Sequence, residues 1–246
     1  MLIAKKSLGQ NFLLDKNIKN KIVKLTKIYN ENIIEIGPGT GVLTEIILDL
    51  KPKKLILIEK DKKLYEFLSH KFKNNKLVYI FNNDALKFHF DKFKKPKIIS
   101  NLPYNISSKF LTKNIIFNNN ITEIICMIQK EMAIKFDYNL KKMNKYKFLI
   151  EHLCIYNRHF DVSPKVFFPK PKVYSEVVSF KFKEIIINKN KLDYFINNFF
   201  IHKRKKLSSN KIINKKLINK YNKLRYEDLI YDQILEIYQG FNFSRS

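Results

Sequence analysis

At 246 residues the chain is long enough to bury a substantial core and to hold one large domain with a smaller second one. Its 48 Lys+Arg against 22 Asp+Glu leave a formal net charge of +26, a surplus that favours a polyanionic partner because each phosphate met by a lysine releases condensed counterion. Only Arg158, Arg204, Arg225 and Arg245 are arginine, and the abundance of Lys, Asn and Ile also fits an AT-rich genome filling solvated faces, which discounts the charge signal.

The two cysteines, Cys126 and Cys154, lie far apart among apolar neighbours and read as reduced core residues, neither a disulfide nor a metal site. The histidines at 70, 89, 152, 159 and 202 show no ligand spacing, so no metal is expected. No secretory signal is evident and no apolar run is long enough to span a membrane, so the expected location is the cytoplasm.

The chain opens with Lys5-Lys6-Ser7-Leu8-Gly9-Gln10-Asn11-Phe12-Leu13-Leu14-Asp15, an irregular segment before a helix that Asp15 caps and that turns Ile18, Ile22, Val23 and Leu25 inward. Gln10 and Asn11, between a glycine and apolar Phe12 and Leu13, suit a segment folded over a pocket mouth. Ile33 to Ile36 is a β-branched strand. Glycines at 37, 39 and 41 follow it, where the backbone must turn sharply and approach a ligand closely. Val42 to Leu50 carries apolar residues at helical spacing, and Leu55 to Ile58 is a second strand ending in Glu59. A carboxylate about 20 residues past a glycine turn is where such folds hold a ribose. The dinucleotide fingerprint would need a glycine where Val42 stands, and no P-loop lysine is present. Glu35 before Gly-x-Gly-x-Gly instead looks like motif I of S-adenosylmethionine-dependent methyltransferases.

A helix to about Phe72 leads to a third strand, Leu77 to Phe81, followed by Asn83-Asp84, where Asp84 can accept from an adenine amino group. The fourth strand, Lys97 to Ser100, runs into Asn101-Leu102-Pro103-Tyr104-Asn105-Ile106-Ser107. Pro103 stiffens this loop and leaves its own carbonyl free, and Ser107 or Ser108 can cap the next helix. An amide, a carbonyl and an aromatic face at a strand's carboxyl end can hold a planar base: Tyr104 stacks on it while Asn101 and the carbonyl accept its two amine N–H bonds. Further strands are expected at Glu123 to Ile128, Cys154 to Phe160 and Glu176 to Phe182, with a helix at Lys145 to His152. From about Asn188 the pattern is helical only, and a basic run, Lys203-Arg204-Lys205-Lys206, follows the stripe Leu192, Phe195, Ile196, Phe199 and Phe200.

Taken together, the 6–13 segment, Glu35 to Gly41, Glu59, Asn83-Asp84-Ala85, Asn101 to Ser107, Gln129-Lys130-Glu131-Met132-Ala133, Val162 to Val173 and Phe200 to Leu207 resemble, in order and spacing, the ribosomal RNA adenine dimethyltransferase family. Gly-Pro-Gly and Asn-Leu-Pro-Tyr are closer to its small-subunit, KsgA-type branch than to the Erm resistance methylases. The resemblance implies a seven-stranded, Rossmann-like α/β methyltransferase domain over residues 1–185 and a helical rRNA-docking domain over 186–246. It implies that Asn11, Leu13, Gly37, Gly39, Glu59, Asp84 and Asn101 contact S-adenosylmethionine. Asn101, Pro103 and Tyr104 would hold the target adenine, with Phe167 as the second wall, and Lys203, Arg204, Lys205 and Lys206 would meet rRNA phosphates.

The implied reaction is dimethylation of the N6 amines of two adjacent adenines near the 3′ end of 16S rRNA during small-subunit biogenesis. The implied enzyme is a monomer acting on a pre-ribosomal particle, with no membrane partner. The alternatives are a large-subunit methylase of the Erm type and an assembly factor whose methylation is dispensable. Tyr174 and Glu176 depart from the family pattern, which usually has Asp and a small residue there.

Overall fold

The computed structural model describes residues 9–117, 120–139, 142–201, 205–210 and 219–243. Lys5 to Leu8, His202, Lys203, Arg204 and residues 211–218 lie outside the described residues.

The strands are β1 (Phe12–Leu13), β2 (Asn32–Ile36), β3 (Lys54–Glu59), β4 (Val78–Asn82), β5 (Lys97–Asn101), β6 (Glu123–Gln129), β7 (Cys154–Val162), β8 (Phe167–Phe168) and β9 (Ser175–Phe182). Seven of them form one sheet in the order β4-β3-β2-β5-β6-β9-β7. β4 through β6 are parallel, and β9 runs antiparallel between β6 and β7. β1 and β8 form a separate antiparallel pair, with Phe12 opposite Phe168 and Leu13 opposite Phe167.

The central strands read as continuous apolar runs because both faces are covered. Ile34, Ile56, Ile58, Ile98 and Ile124 point into one apolar cluster, while Ile33, Leu55, Leu57, Ile99 and Ile125 point into the other. Helices α1 (Lys16–Val23) and α2 (Val42–Asp49) cover the second cluster, with Ile22, Val23, Leu43 and Ile47 buried there. Asp15 caps α1 by accepting from the Ile18 N–H at 2.9 Å, and α3 (Lys62–Lys71) begins after Asp61, which caps it.

The first cluster is covered by α4 (Tyr104–Phe117), α5 (Lys130–Phe136) and α6 (Lys145–Leu153). It runs on without a break into α7 (Lys189–Phe199) and α8 (Tyr231–Gln239), through Phe195, Phe199, Tyr226, Ile234 and Tyr238. Phe148 of α6 sits at this junction, its ring 6.0 Å from that of Phe195 and 5.6 Å from that of Tyr231. The helical segment after residue 185 is therefore seated on the sheet domain by a shared core.

Strand order reverses between β2 and β5, and the carboxyl ends of both strands open into a crevice at that point. This is where open α/β sheets bind ligands.

Candidate active site

Five chain segments meet in this crevice, a cleft of about 1140 Å³ open to solvent. They are the 9–13 segment, the glycine turn after β2, the ends of β3 and β4, and the loop from β5 into α4. The turn is tight: Gly37 and Gly39 have φ of 62° and 60°, a conformation costly for any residue with a Cβ. A Cβ on Gly39 would also stand 3.0 Å from the Phe12 ring.

Below the turn, Glu35 is buried and accepts from the Thr44 hydroxyl at 2.6 Å. Burial pushes its carboxyl up to about 8, against the Thr44 hydrogen bond and with some help from the charge of Glu59. Burial thus favours the protonated form of Glu35.

Glu59 ends β3 and is also buried. Its Oε1 accepts from the Asp61 N–H at 2.8 Å, and its Oε2 lies 3.4 Å from the Gly39 nitrogen. Burial raises its pKa and the backbone N–H groups oppose that rise. Asp84, past β4, accepts from Lys60 Nζ and from the Leu86 N–H, each at 2.9 Å. Its carboxyl is held below the ordinary range chiefly by the hydrogen bond from Lys60.

Asn101 is the last residue of β5. Its Nδ2 donates to the Asn11 carbonyl at 2.8 Å, which commits the amide's donor end to the protein and leaves Oδ1 as an acceptor. Tyr104 is half-buried, with its hydroxyl hydrogen-bonded to the Ser175 hydroxyl at the start of β9. The ring is thus held at both its backbone and its tip.

The expectation of a free carbonyl in this loop needs correction. The Pro103 carbonyl is not free: it accepts from the Ile106 and Ser107 N–H groups at 3.1 and 3.2 Å. The reason is that α4 starts at Tyr104, earlier than a cap at Ser107 or Ser108 would allow, because the fixed φ of Pro103 is already suited to a helix entry. Phe167, expected as a wall of the base pocket, is buried in the cluster with Leu13 and Val177 and does not line the cleft. Successive strand residues face opposite sides, so in β8 it is Phe168 that turns outward, at 62% exposure, opposite Phe12.

Asn11, Leu13, Gly37, Gly39, Glu59, Asp84, Asn101, Pro103 and Tyr104 all line the one cleft. Lys205 and Lys206 are exposed beyond α7, well away in sequence from the cleft-lining segments. Phe12, Lys19 and Ser175 were not singled out from sequence. The legible signal for Lys19 was its place on the inward stripe of α1, i−3 and i−4 from Ile22 and Val23.

Of the two departures, Tyr174 is exposed and offers only its carbonyl, to the Lys130 N–H at 3.0 Å. Glu176 is buried and takes a two-pronged bond from Arg158, at 2.7 and 2.9 Å, while the same guanidinium reaches Asp137 at 3.0 Å. The carboxylate standing where a small residue is usual thus comes with its own counter-ion.

The sequence profile of the ribosomal RNA adenine dimethylase family matches residues 1–243. The chain belongs to this family. As an rRNA adenine dimethylase it is a methyltransferase, and S-adenosylmethionine is the methyl donor that family membership implies. It is similar to the ribosomal RNA small subunit methyltransferase A of Malacoplasma penetrans, at 42% identity over 84% of this chain and 77% of the relative. The protein of the same name from Mesomycoplasma hyopneumoniae is 40% identical over 99% of this chain and 90% of the relative. Among solved structures, a dimethyladenosine transferase from Plasmodium falciparum superposes with a TM-score of 0.76 at 24% identity, covering 92% of this chain and 95% of that one. The 23S rRNA methyltransferase ErmE superposes at 0.72 with 16% identity, covering 94% and 99%. At such identities the last two bear on the fold alone. Among the described residues no helix is long and apolar enough to cross a membrane, and no group of three or more His, Cys, Asp and Glu side chains is placed to hold a metal.

Proposed function

We infer that this dimethylase transfers two methyl groups to the N6 amine of each of two adjacent adenines near the 3′ end of small-subunit (16S) rRNA, in a pre-ribosomal particle in the cytoplasm. The observation that carries the reading is the convergence of the glycine turn, Glu59, Asp84 and the Asn101–Tyr104 loop on one cleft. The 40–42% identity to small subunit methyltransferases A favours small-subunit RNA over the large-subunit alternative.

The donor supplies a methyl group on a sulfonium, a leaving group already activated, so the transfer calls for neither a metal ion nor a covalent enzyme intermediate. The cleft fits a nucleoside-bearing donor: the cradle over Gly37 and Gly39 is space that a Cβ would occupy, and Glu59 offers carboxylate oxygens for ribose hydroxyls. Asp84 serves the adenine amino group of the donor, while Asn11 and Leu13 close the other side.

An adenine N6 is a poor nucleophile because its lone pair is delocalised into the ring. Two acceptors on its N–H groups favour a pyramidal nitrogen with the lone pair aimed along the transfer axis. Asn101 Oδ1 is one acceptor. With the Pro103 carbonyl occupied by α4, the Leu102 carbonyl, on the cleft wall just outside the helical ladder, is the other. Tyr104 stacks on the base, and the N6 proton leaves to solvent. Catalysis then rests on positioning and fixed electrostatics.

Residues 1–185 carry this chemistry in a single copy of the chain, and 186–246 dock rRNA through Lys205, Lys206 and the preceding Lys203 and Arg204. Incubating the protein with methyl-labelled donor and separated unmethylated ribosomal subunits tests the assignment. Label in the small subunit is expected; label in large-subunit RNA alone would move the chain to the alternative activity, and no label with demonstrable particle binding would leave an assembly factor.

A further inference from the structure

Lys19 is buried to 4% exposure and lines the same cleft. Lysines are seldom this buried without a carboxylate partner. Lys19 has none: among the described residues no acidic group lies within ion-pair distance of it. Its ammonium donates to the Leu14 carbonyl at 3.0 Å, one use of three N–H donors.

The acidic groups nearest in effect are otherwise engaged. Asp15 accepts from the Ile18 N–H in capping α1, and Glu45 pairs with Lys71 at 2.8 Å. Burial favours the protonated, uncharged form of Glu35, the carboxyl under the glycine turn. The cleft therefore holds a buried ammonium with no ion-pair partner among the described residues, its charge offset only at a distance by Asp15 and Glu45.

The place of that charge decides what it meets. Glu59 and Asp84 stand at the ends of β3 and β4, on one side of β2, whereas Lys19 and the 9–13 segment approach from α1 and β1. If the nucleoside of the donor lies toward β3 and β4, its amino-acid end falls toward Lys19. We propose that Lys19 binds the α-carboxylate of the methyl donor, supplying the charged contact that fixes the amino-acid end of the cofactor in the cleft. An RNA phosphate is the weaker reading for a side chain this enclosed. The assignment rests on the cofactor reading of the cleft.

The test is a cycle that removes the charge from the protein and the carboxylate from the ligand. Calorimetry would compare wild type and Lys19→Met, which keeps chain length, against S-adenosylhomocysteine and 5′-methylthioadenosine, which lacks the amino-acid end. Lys19→Met is expected to lose roughly 10- to 100-fold in affinity for S-adenosylhomocysteine, as for a hydrogen bond to a charged group. Its affinity for 5′-methylthioadenosine should stay within about twofold, the scale of a site left otherwise intact.

Equal losses for both ligands, or none for either, would overturn the assignment. Wild type binding neither ligand would overturn the cofactor reading together with it. If Lys19→Met does not fold, wild type alone answers: it should bind S-adenosylmethionine at least about tenfold tighter than the decarboxylated donor, and equal affinities would overturn the proposal.

Discussion

The carboxyl groups under the glycine turn have unequal consequences. Burial favours the protonated form of Glu35 and pushes its carboxyl up to about 8 against 4.5 for the ordinary group. The unfolded chain gives up that proton near pH 4.5 while the folded chain keeps it to about 8, so stability is fully present below pH 4.5, falls between these limits and levels off above them. Glu35→Gln keeps an acceptor for Thr44 and removes the titration. It should melt at a temperature that changes less between pH 5 and pH 8 than that of wild type, and parallel curves for the two proteins would show that Glu35 does not hold its proton. Glu59, by contrast, faces the cleft, and Glu59→Ala should weaken S-adenosylhomocysteine binding by about 10- to 100-fold, the loss of charge-assisted bonds to a ribose. Unchanged calorimetric affinity in a folded variant would take Glu59 out of the site.

At the scale of elements, β7 and β9 are tied by the Arg158–Glu176 pair, which also reaches the end of α5 through Asp137. Breaking a buried pair costs more than the pair contributes, because a charge is left without its partner. Arg158→Leu should lower unfolding stability by about 3 kcal/mol in urea titration, and adding Glu176→Ala to it should recover part of that loss. A double variant no more stable than Arg158→Leu would mean that the stranded carboxylate is not the source of the cost. Neither partner was legible as a pair, since the two residues lie 18 apart and only the strand register brings them together.

What sequence did show follows from period and turn chemistry. Apolar runs between glycine and proline punctuation located the central strands to within a residue, and the glycine turn and Asn101-Leu102-Pro103-Tyr104 located the cleft. Contacts across elements were not legible. The engagement of the Pro103 carbonyl depends on where α4 begins, the burial of Phe167 depends on how a two-residue strand pairs with β1, and the link from Tyr104 to Ser175 joins segments distant in the chain.

For the whole molecule, the surplus of 26 positive charges makes docking on rRNA an electrostatic problem in which many lysines share the affinity. The exposed Lys205 and Lys206 follow α7, whose apolar stripe is spent on the shared core. Lys205→Ala with Lys206→Ala should flatten the log–log dependence of particle affinity on salt by roughly 1–2 units. It should raise the apparent KM more than it lowers kcat, since the contacts removed are common to ground and transition states. An unchanged slope would return these lysines to an ordinary solvated surface.

The cleft is assigned one reaction at one place on the RNA. Mass mapping of modified adenines in 16S rRNA, after incubating unmethylated small-subunit particles with the protein and S-adenosylmethionine, tests it most directly. N6,N6-dimethyladenine is expected at two adjacent positions near the 3′ end with wild type, and almost none with Asn101→Ala. Modification at another position, monomethylated product only, or undiminished dimethylation by Asn101→Ala would contradict it.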